Sequence, residues 1–350
     1  YFQFGYISSN ISIYDNIYKL LPGHYLVFKN NKISLNQYWN IEKFLIMDKF
    51  NKSENELLDE LEDLLIDAFK YRMVSDVPVG VFLSGGIDSS IVAAILQKHY
   101  GNIHTFTIGF DSNKYDESTY AEKIANYLNT KHTHKKLNTA EAKEYVYKFA
   151  DIYDEPFGDA SGIPTVLVSK VAKDNGIKVV LSADGGDEIF CGYERYWITY
   201  NLGRKIFFIP YLLRTILSKF MNIFNVKFLS SIFKIKNFEK KYNTIKLMLK
   251  AKNWNSLYVD MISHFNSEEV DTLLQHKKST SSYQEYFNST EEINPMQGMM
   301  LWDHHRYLPD DILTKVDRAT MYNSIEGREP LLDHRIAEFM ARVPFELKYK

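Results

Sequence analysis

A chain of 350 residues that is 45% hydrophobic and 25% charged has material for about two globular domains. A net charge of −2 gives no whole-chain electrostatic reason for a nucleic-acid or membrane partner, and the one cysteine, Cys191, excludes an internal disulfide framework and suits a reducing, cytoplasmic compartment. The uncharged apolar stretch Ile206–Leu213 falls far short of the roughly 20 residues of a membrane span, and Tyr1–Asn10 lacks the basic start and apolar run of a secretory signal.

In chain order, residues 1–45 read as short extended pieces, Ile11–Tyr18, His24–Lys29 and Ile33–Tyr38, separated by Pro22-Gly23 and Asn30-Asn31 turns. That is the character of the closing strands of a β-rich unit. Ser53 with Glu56 then forms a capping box ahead of Leu57, Leu58, Leu61, Leu64, Leu65, Ala68 and Phe69 at helical spacing. A domain boundary is therefore expected near residues 45–52, dividing 1–45 from 46–350. Strands and helices alternate beyond it: strand Pro78–Leu83, helix Asp88–His99, strand Ile103–Phe110, helix Glu117–Leu128, edge strand Lys131–Leu137, helices Thr139–Tyr153 and Ile163–Asn175, strand Ile177–Leu181. This pattern predicts an α/β fold with a doubly wound parallel sheet and ligands at the carboxyl ends of its strands. After residue 197 the chain reads as helical to its end.

Ser84-Gly85-Gly86-Ile87-Asp88-Ser89-Ser90 directly follows one strand and opens a helix. Its glycines let backbone pass close to an anion, and the N–H groups of the turn and helix start point at it. Asp88 would repel phosphate unless a divalent cation bridged the two. A Walker-type loop is excluded because Gly86-Ile87 stands where Lys-Ser/Thr is required, and a hydrolase elbow because Phe82 takes the place of its first glycine. The bland alternative is a helix cap in a glycine turn.

Leu181-Ser182-Ala183-Asp184-Gly185-Gly186-Asp187-Glu188 follows a second strand and continues as Cys191-Gly192-Tyr193-Glu194-Arg195-Tyr196. Three carboxylates in so short a turn repel one another unless a cation or a proton transfer uses them; otherwise the turn is simply solvated. A third run is Tyr307-Leu308-Pro309-Asp310-Asp311-Ile312-Leu313-Thr314-Lys315-Val316-Asp317-Arg318, followed by Glu326-Gly327-Arg328-Glu329-Pro330-Leu331-Leu332-Asp333. By itself it reads equally as mixed-charge surface.

The first run resembles the pyrophosphate loop of enzymes that cleave ATP between its α and β phosphates. Together the three runs resemble the synthetase domain of glutamine-hydrolysing asparagine synthetases. Pro22-Gly23-His24-Tyr25 through Tyr38-Trp39 resembles the end of their glutaminase domain, and Asp154-Glu155-Pro156-Phe157 through Pro164 the segment before the second run. The resemblance is weakest at residues 197–295. It implies a sheet of the pyrophosphate-loop ATP type with a helical C-terminal part. Ser84, Gly85, Gly86, Asp88, Ser89 and Ser90 would hold the pyrophosphate, with Asp88 and Asp187 sharing Mg²⁺. Phe82 and Ile108 would face the adenine, and Ser182, Ala183 and Gly185 would contact the nucleotide. Lys315 would steady negative charge during adenylation. Asp184 stands where well-known members carry glutamate near the intermediate, and Ala183 where glycine is usual.

The implied reaction converts aspartate to asparagine through an acyl-adenylate, with AMP and pyrophosphate as products and ammonia from glutamine. Two alternatives stay open: amidation of another carboxylate such as a sugar acid, and an RNA-modifying adenylating enzyme. Glutamine hydrolysis in this family uses an N-terminal cysteine. With no initiator Met and an ending at Lys348-Tyr349-Lys350, the chain is expected to be a fragment missing sequence at both ends.

Small-molecule partners are expected, with no nucleic acid and no membrane span, and with room for a homodimer. Arg204–Lys252 carries twelve Lys or Arg against the single acid Glu239. It is read as a helical insertion with lysines outside and aromatics inward, not as a membrane or nucleic-acid surface. His304-His305 and His132/His134 are read as core or surface residues, not zinc ligands, and Cys191 as a small buried residue.

Overall fold

The computed structural model describes residues 1–8, 10–110, 117–221, 223–224, 226, 230–231, 237–275 and 293–349. Contacts group the chain into two units: Tyr1 with Gly5–Gly192 and Asp303–Lys350, and Phe2–Phe4 with Tyr193–Trp302.

In the first unit, strands β1 (His24–Lys29) and β2 (Lys32–Gln37) form an antiparallel hairpin closed by Asn30 and Asn31, both at positive φ. Two left-handed residues in sequence are the geometry that asparagine tolerates in a tight hairpin turn. Ile11–Tyr18 is not a strand; its ends touch through one isolated antiparallel bridge. The Ser53–Glu56 capping box is present at the start of α1 (Glu54–Met73), which buries Leu57, Leu65, Ala68 and Phe69.

Among the described residues the main sheet has five parallel strands: β3 (Val79–Phe82), β4 (His104–Phe110), β5 (Lys131–Leu137), β6 (Val179–Leu181) and β7 (Glu326–Arg328), in the order β5-β4-β3-β6-β7. The crossover helices are α2 (Ile87–Tyr100) between β3 and β4 and α3 (Ser118–Leu128) between β4 and β5. Helices α4 (Thr139–Tyr147), α5 (Phe149–Tyr153) and α6 (Gly162–Asp174) precede β6. The single helix expected over Thr139–Tyr153 is two, meeting at Lys148. A further correction concerns β7: the chain after residue 197 is not all helical. Three residues containing a glycine give no alternating pattern, and only the neighbouring strand β6 calls them into the sheet.

The core on one face gathers Phe106, Val168, Val171, Ala172, Ile177, Val180 and Ile325, with Phe82 and Ile108 packed at its margin. Burying such side chains contributes about 1.5–3 kcal/mol each. Gly80 is required where β3 meets β4, since an added Cβ would stand 2.8 Å from Phe106 Cε2.

Strand order reverses between β3 and β6: the chain steps from β3 to β4 and β5 on one side, then to β6 and β7 on the other. This is the switch point at which open α/β sheets leave a crevice beyond their carboxyl ends. Both glycine-acid turns open there, one after β3 and one after β6.

The second unit contains α8 (Glu194–Phe207), α9 (Tyr211–Met221), α10 (Phe238–Lys250) and α11 (Trp254–Ile262), following the short helix α7 (Gly186–Phe190) of the first. Met248, Ala251 and Leu257 form its core with Ile206, Phe207, Trp254 and Met261. Arg214 is buried there, donating to the Ala251 carbonyl at 2.7 Å and the Ile209 carbonyl at 3.0 Å. The expected inward packing of aromatics holds for Phe207 but not for Phe208, which is 90% exposed, or for Phe220. No helix among the described residues is long and apolar enough to cross a membrane.

Candidate active site

The first turn is shaped by its own serines. Ser89 Oγ accepts from the Ser84 amide at 3.2 Å, lies 3.0 Å from Ser84 Oγ, and donates to the Gly86 carbonyl. Ser84 Oγ accepts from the Gly86 amide at 3.2 Å, and Ser90 Oγ donates to the Gly86 carbonyl at 2.6 Å. The hydroxyls expected to donate to phosphate thus first define the loop that presents backbone N–H groups at the start of α2. Gly85 has φ +89°, and a Cβ there would stand 2.9 Å from the Ala121 nitrogen, so only glycine fits. At Gly86 an added Cβ would meet only Ser84 Oγ, at 3.3 Å, among the described residues.

In the second turn Gly185 has φ +91°, and an added Cβ would collide with Leu332 Cδ2. Gly186 opens α7 and lies against the carboxylate of Asp88, whose Oδ2 occupies the space a side chain would take. The two turns therefore meet, with Asp88 of the first over the glycine of the second. Burial raises the Asp88 carboxyl above the ordinary carboxylate range, and the Asp184 charge raises it further. Asp187 is in the first turn of α7 with Oδ1 against Gly192, and the acid that acts on Asp88 is Asp184.

Ser182 Oγ donates to Asp184 Oδ2. Burial raises the Asp184 carboxyl; Lys315 and Ser182 pull it back in part. Ala183 lies between these two, half-buried. Phe82 and Ile108, the expected adenine contacts, are partly buried at the carboxyl ends of the adjacent strands β3 and β4.

Lys315 arrives from the third run. A π-helical turn, Leu308–Leu313, leads into α12 (Thr314–Tyr322), with Thr314 Oγ1 donating to the Pro309 carbonyl five residues back at 3.0 Å. Such widened turns recur at functional sites because they re-aim the side chains that follow. Lys315 is 8% exposed, and its Nζ lies 2.9 Å from Asp159 Oδ2 and 3.5 Å from Ser161 Oγ. Burial lowers the ammonium, but Asp159, Asp184 and Asp311 outweigh it and hold Lys315 above its ordinary range. Asp159 is raised by burial and lowered by Lys315 and by two hydrogen bonds from Ser161, at 2.7 Å from the amide and 2.6 Å from the hydroxyl; the net direction is down.

Four residues absent from the sequence-derived site belong to it: Asp159, Ser161, Asp311 and Glu329. The last two lie inside the runs quoted above, and Asp159 inside the segment 154–164. The signal that would have found Asp159 is a lone acid before Ser161-Gly162 at a helix start. Glu329 follows β7, and burial with the Asp184 charge raises its carboxyl well above the ordinary range.

The arrangement fits a divalent cation. Burial raises the Asp88 carboxyl and the Asp184 charge raises it further, a penalty that a bound cation would relieve. Among the described residues no group of three or more His, Cys, Asp or Glu is placed to hold a metal by itself. A cation such as Mg²⁺ would be held by one or two carboxylates and by phosphate oxygens. His132 Nδ1 lies 2.8 Å from Thr105 Oγ1, and burial pushes His304 down to about 3.

A protein-family model described as asparagine synthase matches residues 60–350. A Methanocaldococcus jannaschii protein provisionally named asparagine synthetase (glutamine-hydrolyzing) 2 is 35% identical, over 92% of this chain and 60% of its own length. Asparagine synthetase (glutamine-hydrolyzing) 1 of Bacillus subtilis is 27% identical over 100% of this chain and 53% of its own. Amidase chyE of Penicillium rubens is 25% identical over 97% and 54%. The chain thus spans little more than half the length of these curated relatives.

Proposed function

Since the chain belongs to the asparagine synthase family, we propose that it performs the ATP-dependent amidation of a carboxylate, with aspartate as acceptor and asparagine as product. One observation carries this reading: at the switch point a glycine-serine anion turn meets an acidic turn whose Asp184 acts on a buried, charged Lys315.

A carboxylate is a poor acylating agent because its leaving group would be oxide. Attack of its oxygen on the α-phosphorus of ATP expels pyrophosphate and gives an acyl-adenylate. Ammonia then attacks the acyl carbon, AMP leaves, and the nitrogen sheds a proton. The Ser84–Gly86 turn and the start of α2 bind the pyrophosphate, assisted by Ser89 and Ser90. Phe82 and Ile108 flank the adenine, while Ser182, Ala183 and Gly185 contact the nucleotide. Lys315, held charged by Asp159, offsets the charge that grows on the α-phosphate. Asp184 accepts the proton from nitrogen. Asp88 and Asp187 would hold Mg²⁺, which neutralises phosphate charge when bound.

In the whole protein the ammonia would come from glutamine, with residues 1–45 closing the glutaminase part and 46–350 forming the synthetase part, in the cytoplasm. The test is a screen of carboxylates, aspartate and sugar acids among them, with ATP, Mg²⁺ and ammonium, measuring AMP and pyrophosphate. Aspartate-dependent AMP is expected. AMP with a different carboxylate would replace the acceptor. ADP in place of AMP, or no carboxylate-dependent turnover, would overturn the reaction.

A further inference from the structure

Glu329 was not in the sequence-derived site, yet the fold delivers it there. Strand β7 pairs with β6 so that Leu181 faces Arg328, and the Ser182 amide donates to the Arg328 carbonyl at 3.0 Å. The next residue, Glu329, is thereby set against the second turn. Its carbonyl accepts from the Leu332 amide at 3.2 Å, and Leu332 in turn packs on Gly185. Asp184 and Ser182 both act on the Glu329 carboxyl, the charge of Asp184 more strongly. Its Oε2 is closed off from solvent and has no hydrogen-bond partner among the described residues.

Counting hydrogens gives a direction for a Glu329–Ser182 bond. A serine hydroxyl has one proton to give, and that of Ser182 goes to Asp184 Oδ2. With that proton on Asp184, a bond between Glu329 and Ser182 takes its hydrogen from Glu329 as the O–H. Burial favours the same form, because a closed-off, unpartnered oxygen costs a neutral acid far less than a carboxylate. Among the described residues no cation is found to offset a charge at Glu329. Lys315 serves Asp184, Asp159 and Asp311, and the neighbouring Arg328 is spent on the Arg72 and Val74 carbonyls and on Glu326. Asp333, next along, is held by Arg335.

We propose that Glu329 works as a neutral carboxylic acid and a positioning residue: its O–H donates to Ser182 Oγ, which fixes the serine rotor so that its one proton holds Asp184 ionised and aimed. The chain Glu329–Ser182–Asp184 then serves the amide-forming step, which rests on the role given to Asp184 above. Adenylation, which depends on Lys315, is largely independent of it.

The sign of the pH effect follows. Glu329 is protonated below its raised pKa. As pH rises through that value the acid ionises, two carboxylates compete for one serine proton, and amide formation falls.

Three measurements test this. In Glu329→Gln the amide N–H replaces the O–H and does not titrate, so amide formation should stay within about threefold of wild type and the alkaline limb should vanish. Glu329→Ala, checked for folding by circular dichroism, should lose amide formation about tenfold or more while keeping carboxylate-dependent ATP–pyrophosphate exchange. A Gln variant as damaged as the Ala variant, or one with the wild-type alkaline limb, overturns the proposal. Infrared difference spectra of wild type against Glu329→Gln, taken without substrates at neutral pH, should show a protonated carboxyl C=O band belonging to Glu329. Its absence overturns the proposal whatever the reaction proves to be, whereas its presence with no amide formed from any carboxylate counts against the proposed function instead.

Discussion

Lys315 Nζ lies 2.9 Å from Asp159 Oδ2, and the two side chains are 9% and 11% exposed. Burial alone would neutralise both, and each keeps the other charged. A buried pair of this kind contributes little net stability, but breaking it from one side leaves a bare charge at a cost of about 3–5 kcal/mol. Its value here lies in a fixed cation beside Asp184.

Lys315→Ala should therefore do two things at once. It should lower stability by about 3 kcal/mol, because Asp159 is stranded, and cut ATP–pyrophosphate exchange by about 100-fold or more, because a preorganised charge is gone. Thermal melts and exchange assays on the same preparation separate the effects. Unchanged exchange in a folded variant would remove Lys315 from the catalytic set.

Asp159→Asn probes the pair from its other side. Asp159 is the largest influence holding the lysine charged, so its loss lets burial lower the Lys315 pKa. Exchange should then fall off at lower pH than in wild type, as the pH rises through the reduced lysine value. The stability contributed by the pair is present at neutral pH in the parent. It is lost in acid, as Asp159 protonates below its ordinary range, and in alkali, as Lys315 deprotonates above its own. An alkaline limit that does not move in the variant would show that Asp159 does not set the lysine's charge.

Local chemistry made much of this legible in the sequence. Gly85 and Gly185 mark turns that need positive φ, and the strand-turn-helix alternation implies a parallel sheet. What escaped notice is what distant segments supply. Strand β7 is extended only because β6 offers it hydrogen bonds, so nothing in Glu326-Gly327-Arg328 announces it. Asp159 has only a faint local signal, an acid before Ser161-Gly162 at a helix start, and its partner Lys315 lies 156 positions away. Glu329 reads as surface charge until the β6–β7 register places it against Ser182.

Gly185→Ala tests the contact between the second turn and the segment after β7. The new methyl group would meet Leu332 Cδ2, at a φ of +91° that side chains rarely adopt. The left-handed strain costs about 1–3 kcal/mol, and Leu332 must also shift, carrying Glu329 with it. Melting temperature and amide formation should fall together. A variant with wild-type values for both would mean that the turn is not held as described.

Asp88 offers the test of cation binding. Burial and Asp184 raise its pKa, and a carboxyl must lose its proton to bind a metal. Mg²⁺-supported ATP binding should therefore weaken as pH falls toward the raised Asp88 value, at a higher pH than an ordinary carboxylate would dictate. Asp88→Asn should bind ATP with little response to Mg²⁺ or to pH in that window. Calorimetric titrations at several pH values, with and without Mg²⁺, read both. A wild-type affinity that ignores pH across the window would exclude Asp88 as the ligand.

Cys191 sits at the end of the short helix α7 with φ +66°, in the left-handed region, beside the acidic turn. Burial pushes its thiol up to about 11, so at neutral pH it is a thiol, and a thiol is a weak nucleophile and a weak metal ligand. Its position near the nucleotide turns therefore does not make it part of the chemistry, and it is not equipped to attack the amide of glutamine. Cys191→Ser keeps a small polar side chain that tolerates the same backbone angle. Ammonium-dependent amide formation should be unchanged in this variant within about twofold, and the 350-residue chain should release no glutamate from glutamine, with or without the thiol. Glutamate release by the parent chain that disappears in Cys191→Ser would make Cys191 a nucleophile and move glutamine hydrolysis into this half of the protein.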